Sequence, residues 1–109
     1  MPQMASGRAP VALRAVSGDE RRHDELEHLL VRSGRGDVDA FTELYDHLAP
    51  RVFGLVTRLV PDPAASEAIT CEAFVDAWRR SASYDPERCS ATAWVLVVAH
   101  RLAVRAARA

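Results

Sequence analysis

Apolar side chains recur along this chain at helical spacing. Leu26, Leu29 and Leu30 share one face between Asp24 and Ser33, and the run stops at Gly34 and Gly36, which predicts a short helix. Asp37 is placed to cap a longer one, whose apolar positions Phe41, Leu44, Tyr45, Leu48, Val52, Leu55, Val56 and Leu59 keep the same period. Pro50 lies inside this run and is expected to kink or break it, because it removes a hydrogen bond and crowds the preceding turn. Pro61-Asp62-Pro63 ends the run. From Ala64 to about Ser81 a third pattern buries Ile69, Thr70, Ala73, Phe74, Ala77 and Trp78, with Ala68, Cys71, Glu72, Val75 and Arg79 on the opposite face. Pro86 interrupts any period between Ser83 and Ser90, so that stretch reads as a loop, and a fourth helix runs from about Ala91 to the terminus. Met1 to Gly18 is rich in Pro, Ala, Ser and Gly without a period. The expected organisation is a disordered leader over residues 1–20 and a helical domain over 21–109. No stretch alternates as a strand would and no repeat is apparent. The fold class is therefore all-α, a compact four-helix bundle with short connections.

Composition narrows the function. The chain has 109 residues, enough for one small domain. Its longest unbroken apolar stretch, Ala93 to Ala99, is far short of the roughly 20 residues that span a bilayer. Met1 to Val16 carries Arg8 and Arg14 and no apolar core of a signal peptide. Membrane insertion and secretion are both disfavoured. Cys71 and Cys89 are too few and too far apart for a zinc knuckle or a disulfide framework, and read as free thiols in a reducing cytosol. His23, His28, His47 and His100 show no ligand spacing, and no phosphate loop or nucleophile motif is present. Nothing calls for a metal, a cofactor or a catalytic role.

The formal net charge of −1 hides a split. Residues 37–78 carry 2 Arg against 8 acids, whereas residues 79–109 carry 6 Arg against 2. There is no lysine. An acidic middle and a basic end suggest two surfaces with different partners, or simply a solvated asymmetry. At 100° per residue, Trp94, Val97, Arg101, Arg105 and Arg108 fall in a narrow stripe of the fourth helix, opposite Val95, Ala99, Leu102 and Ala106. A ring in line with guanidinium groups suits single-stranded nucleic acid, offering a platform for a base and cations for phosphates. The same pattern also fits a core tryptophan followed by arginines that favour the helix C-terminal dipole.

The run from Gly36 to Asp46, then Pro50-Arg51-Val52-Phe53-Gly54-Leu55, resembles the opening of region 2 in extracytoplasmic-function (ECF) sigma factors of the sigma-70 family. So do Glu72-Ala73-Phe74-Val75-Asp76-Ala77-Trp78-Arg79, Tyr84-Asp85-Pro86-Glu87-Arg88 with Ala93-Trp94, and Ala99-His100-Arg101. The resemblance covers about residues 24–109. It implies a domain that docks on the clamp helices of the RNA polymerase β′ subunit and reads the promoter element near minus ten as melted, non-template single strand. On this chain the polymerase-binding face would be Ala68, Cys71 and Glu72, with Val75, Asp76 and Arg79 around them. A flipped base would be held by the loop Ser83 to Thr92, through Tyr84, Asp85, Arg88, Ser90 and Thr92. Trp94, Val97, His100, Arg101, Arg105 and Arg108 would lie along DNA. Further implications are a cytoplasmic, nucleoid-associated location and an anti-sigma factor as an additional partner; with no exposed heptad seam in the sequence, a monomer is expected.

Departures from the family pattern carry expectations too. The family usually presents Asp, then Gln-Glu three residues later; here Ala68, Cys71 and Glu72 keep only the glutamate. Two lost hydrogen bonds weaken docking by roughly 1–3 kcal/mol in total. Cys89 stands where the family usually has glycine, a strained position if the turn needs φ > 0. Arg105 replaces a common aspartate and adds positive charge. Nothing follows Ala109, so the helix-turn-helix that reads the element near minus thirty-five is expected to be missing. The alternative to promoter reading is therefore a truncated or degenerate sigma-like interaction protein that binds polymerase or an anti-sigma factor.

Overall fold

The computed structural model describes residues 24–109. Four helices follow in order: α1 (residues 24–34), α2 (Val38–Leu59), α3 (Pro63–Arg80) and α4 (Ala91–Arg108). A 3₁₀ turn, Ser81–Ser83, leads from α3 into the loop before α4. No strand occurs among the described residues, and the chain folds as an all-α bundle. The leader expected over residues 1–20 lies outside those described.

Helices α2, α3 and α4 each start where a short polar side chain can take an orphan amide. Asp37 accepts from the Ala40 N–H, Asp62 from the Ala65 N–H and Ser90 from the Ala93 N–H. Pro63 opens α3 at a position where its missing N–H costs nothing. The α1–α2 corner is more elaborate. Gly36 has φ +92°, a left-handed conformation suited to glycine. Its N–H donates to the Ser33 carbonyl while the Asp37 N–H donates to the Arg32 carbonyl, the paired bonds of a Schellman motif. The Arg32 guanidinium then closes on Asp37 Oδ2, at 2.9 Å from Nη2 and 3.1 Å from Nε. Gly34 is required for another reason: a Cβ there would stand 2.7 Å from the Ser81 carbonyl oxygen.

The core joins Leu26, Leu29 and Leu30 of α1 to Leu44, Leu48, Val52 and Val56 of α2, Ala73 and Phe74 of α3, and Val95, Ala99 and Ala103 of α4. Helices α2, α3 and α4 pack against one another pairwise. Aromatic edges knit α2 to α3: Tyr45 meets Phe74 at 4.7 Å between centroids, and Phe41 meets Trp78 at 5.2 Å. Buried hydroxyls turn back onto backbone, Ser33 to the Leu29 carbonyl, Ser66 to Val60 and Thr70 to Ser66.

Three sequence expectations change here. α2 runs unbroken through Pro50. Pro50 and Asp46 both lie on the exposed side, so water can serve the Asp46 carbonyl that loses its helical partner. Ala106, assigned to the packing face of α4, is exposed, while Val98 and Ala103 are buried instead. Cys89 is free of backbone strain, because no non-glycine residue among those described has positive φ.

Candidate functional site

The outer face of α3 is open. Ala68, Cys71, Glu72, Val75 and Arg79 are exposed, and Asp76 is half-buried. Asp76 is engaged by Arg80 one turn on, at 3.1 Å, so its carboxylate is partly satisfied within the helix. Val75, at 48% exposure, borders an apolar groove between α2 and α3 lined by Val38, Phe41, Tyr45, Cys71, Phe74 and Trp78. Glu72 is therefore a charged group at the margin of an apolar surface.

The loop before α4 is built by its own side chains. Tyr84 is buried and its hydroxyl donates to the Cys89 carbonyl at 2.9 Å, so the loop closes on the phenol. Burial pushes the Tyr84 phenol well above its ordinary range, reinforced by the neighbouring Glu27, Cys89 and Asp85, which keeps it a donor. Asp85 Oδ1 accepts from the Glu87 N–H and its carbonyl from the Arg88 N–H, folding 85–88 into a turn. Asp85 and Arg88 project outward, Ser90 is spent on the α4 cap, and Thr92 is buried. Trp94 is half-buried, packs on the core and meets Tyr84 edge-on at 5.7 Å. One part of its indole thus belongs to the core and the rest reaches the surface.

Beyond Trp94, the α4 stripe is exposed as the periodicity requires. Val97 is 55% exposed, and His100, Arg101, Arg105 and Arg108 follow it to the helix end. Val97, His100, Arg101, Val104, Arg105 and Arg108 line one shallow concavity. The structure thus brings the stripe together and separates it from Tyr84 and Thr92, which are interior. Sequence reasoning did not see a second concavity, between α2 and α4, whose walls include Arg51, Gly54, Arg58, Val97 and His100. A signal was there: Arg51 and Arg58 are the two arginines of the acidic stretch, spaced seven apart on one helix face. Among the described residues, no group of three or more His, Cys, Asp or Glu is placed to hold a metal ion. No helix described is long and apolar enough to cross a membrane.

An all-α domain with a shaped loop feeding an arginine-striped helix matches a known class. The family model for Sigma-70 region 2 matches residues 44–109, more than half of the chain, and the chain belongs to that family. It is 43% identical over 94 residues to the ECF RNA polymerase sigma factor SigK of Mycobacterium ulcerans (strain Agy99), covering 86% of this chain and 50% of that protein. Against SigK of Mycobacterium sp. (strain KMS) the identity is 44% over 95 residues, covering 87% of this chain and 46% of the relative. Against SigK of Mycobacterium tuberculosis (strain ATCC 25177 / H37Ra) it is 42% over 89 residues, covering 82% and 48%. The chain spans about half the length of these curated relatives.

Proposed function

We propose that this chain acts in transcription initiation as a non-catalytic sigma module. It docks on the β′ clamp helices of core RNA polymerase through the outer face of α3 and reads the minus-ten element as melted non-template strand through the 84–92 loop and α4. The observation that carries the reading is the continuous exposure of Val97, His100, Arg101, Arg105 and Arg108 directly after a loop held in shape by Tyr84. Tyr84 and Thr92 then act from inside, fixing the loop, while Asp85, Arg88 and the exposed part of Trp94 face the strand. Holding an extruded base costs a few kcal/mol of unstacking, which the loop must offset.

Two measurements test it. The chain co-elutes with core polymerase, and Glu72→Ala abolishes that co-elution; absence of co-elution from folded protein removes the docking half. Three arginines on phosphates give a log–log salt slope of roughly −2 for single-stranded minus-ten oligonucleotides. Arg101→Ala with Arg105→Ala makes the slope shallower, and an unchanged slope takes α4 off the DNA.

A second reading is an interaction protein that binds polymerase or an anti-sigma factor without reading promoters. The exposed Ala68 and Cys71 beside the apolar α2–α3 groove favour it, since that surface suits protein better than nucleic acid. It predicts oligonucleotide binding with no sequence preference.

A further inference from the structure

The apolar groove between α2 and α3 meets the polymerase-docking face along its α3 edge, at Cys71 and Val75. Five large apolar side chains are exposed among the described residues, and three of them, Val38, Tyr45 and Val75, line this groove. Exposed apolar surface gathered in one strip marks a place where something packs. The groove also has a direction. Phe41 meets Trp78 and Tyr45 meets Phe74, so Val38 and Trp78 mark one end, Tyr45 and Cys71 the other. At the second end Asp46 follows Tyr45, and Glu67 lies one turn before Cys71 in a depression that shares that residue. At the first end Arg79 follows Trp78. None of these three charges forms an ion pair among the described residues, where the pairs are Arg32–Asp37 and Arg80–Asp76. The strip therefore runs from a basic end to an acidic one.

The sequence ahead of α1 holds a segment of matching chemistry. Arg8-Ala9-Pro10-Val11-Ala12-Leu13-Arg14-Ala15-Val16 has arginine as its only charge, and Asp19-Glu20 follow shortly after it. Laid along the groove with Val16 at the Val38–Trp78 end, it sets Arg8 toward Asp46 and Glu67, and Asp19-Glu20 toward Arg79. Its attachment imposes the same direction. Val16 precedes Asp24 by eight residues, a reach of roughly 26 Å at about 3.3 Å per residue. Helix α1 is about 16 Å long at 1.5 Å per residue, and the Gly36–Asp37 corner brings Val38 in directly after it. The chain is long enough to return along α1 and enter the groove at its Val38–Trp78 end.

We propose that residues 8–16 occupy the α2–α3 groove of their own chain, cover Cys71 and Val75, and so compete with core polymerase for α3. The competition rests on the polymerase docking proposed above; the occupancy does not. Weak contacts suffice, because the partner is tethered. A connection this short holds the segment at an effective concentration on the order of a few millimolar, so an intrinsic affinity of only about 1 mM leaves the groove open roughly a fifth of the time.

The test uses the full chain and reads alkylation of Cys71 by iodoacetamide, located by peptide mass spectrometry. Val11→Ser with Leu13→Ser uncovers the thiol and raises its rate about fivefold, the inverse of that open fraction. Leu13→Met keeps the protection, and Arg8→Gln gives a smaller gain that disappears at high salt. Circular dichroism confirms that these substitutions, all outside the four helices, leave the helical content unchanged. An equal Cys71 rate in the unmodified chain and the double-serine variant overturns the proposal. So does protection that grows with protein concentration and ignores those substitutions, which assigns the groove to a second copy. Core polymerase then tests the competition: the double-serine variant binds it about fivefold more tightly than the unmodified chain. Equal affinities alongside Cys71 protection overturn the competition and support the occupancy alone. Polymerase binding by neither chain, with the protection intact, overturns the docking reading and still supports the occupancy.

Discussion

Asp37 serves two helices with one carboxylate. It caps α2 through the Ala40 amide and takes the Arg32 guanidinium from the last turn of α1. The Ala40 N–H, then Arg32, hold its carboxyl below the usual carboxylate range. A lowered folded-state value means the stabilisation is present above the unfolded value of 3.8 and is lost as pH falls through the folded one. Asp37→Asn is therefore expected to lower the melting temperature at neutral pH and to flatten its decline below pH 4, measured by thermal melts across acid pH. Tyr84 has the opposite sign. Its raised value means stability is full below about 10 and falls as pH rises toward the folded-state value. Tyr84→Phe should cost about 1 kcal/mol at neutral pH by stranding the Cys89 carbonyl, and should reduce the loss of stability in alkali. Gly34→Ala should be worse than most surface changes, because the obstacle is the Ser81 backbone rather than a movable side chain. Denaturant midpoints check both.

At the scale of helices, the start of α2 was legible at Asp37, whereas Asp62 and Ser90, read as a breaker and a loop residue, prove to cap α3 and α4 in the same way, each three residues before the amide it serves. The buried side of α3 was legible in the main: Thr70, Ala73, Phe74 and Ala77 are buried, Ile69 and Trp78 only half-buried, and Ala68, Cys71, Glu72 and Val75 exposed. Pro50 misled because the proline rule is local, whereas its consequence depends on whether the orphaned carbonyl faces water or core. Removing that residual cost, Pro50→Ala should stabilise α2 by about 1–3 kcal/mol, read as a higher urea midpoint at unchanged m-value. The burial of Tyr84 was not legible, since it depends on Trp94 and the Cys89 carbonyl closing over the phenol. Of the α2–α4 groove only the spacing of Arg51 and Arg58 was legible; the concavity itself exists only when two helices distant in sequence are apposed.

For the molecule as a whole, the linear charge map is redrawn by the fold. The sequence divides into an acidic middle and a basic end, yet Arg51 and Arg58 leave the acidic segment to join the α4 arginines on one side. The α3 outer face and the α4 stripe belong to different helices and share no residue. Substitutions on them should therefore act independently. Glu72→Ala is expected to remove polymerase co-elution while leaving single-strand affinity within about twofold, and Arg101→Ala with Arg105→Ala should do the reverse. Fluorescence anisotropy and size exclusion on the same preparations decide it.

The shared carboxylate at the α1–α2 corner also bears on how the molecule opens. With Arg32, Gly36 and Asp37 bonded across the joint in both directions, unravelling the end of α1 frees one oxygen of the carboxylate that caps α2 and loosens its hold. The two helices should exchange their amide hydrogens as one cooperative unit rather than as a frayed segment and a stable one. Any partner that grips α1 would then slow exchange along α2 at a distance, making this corner the place where occupancy of one helix is felt by the other.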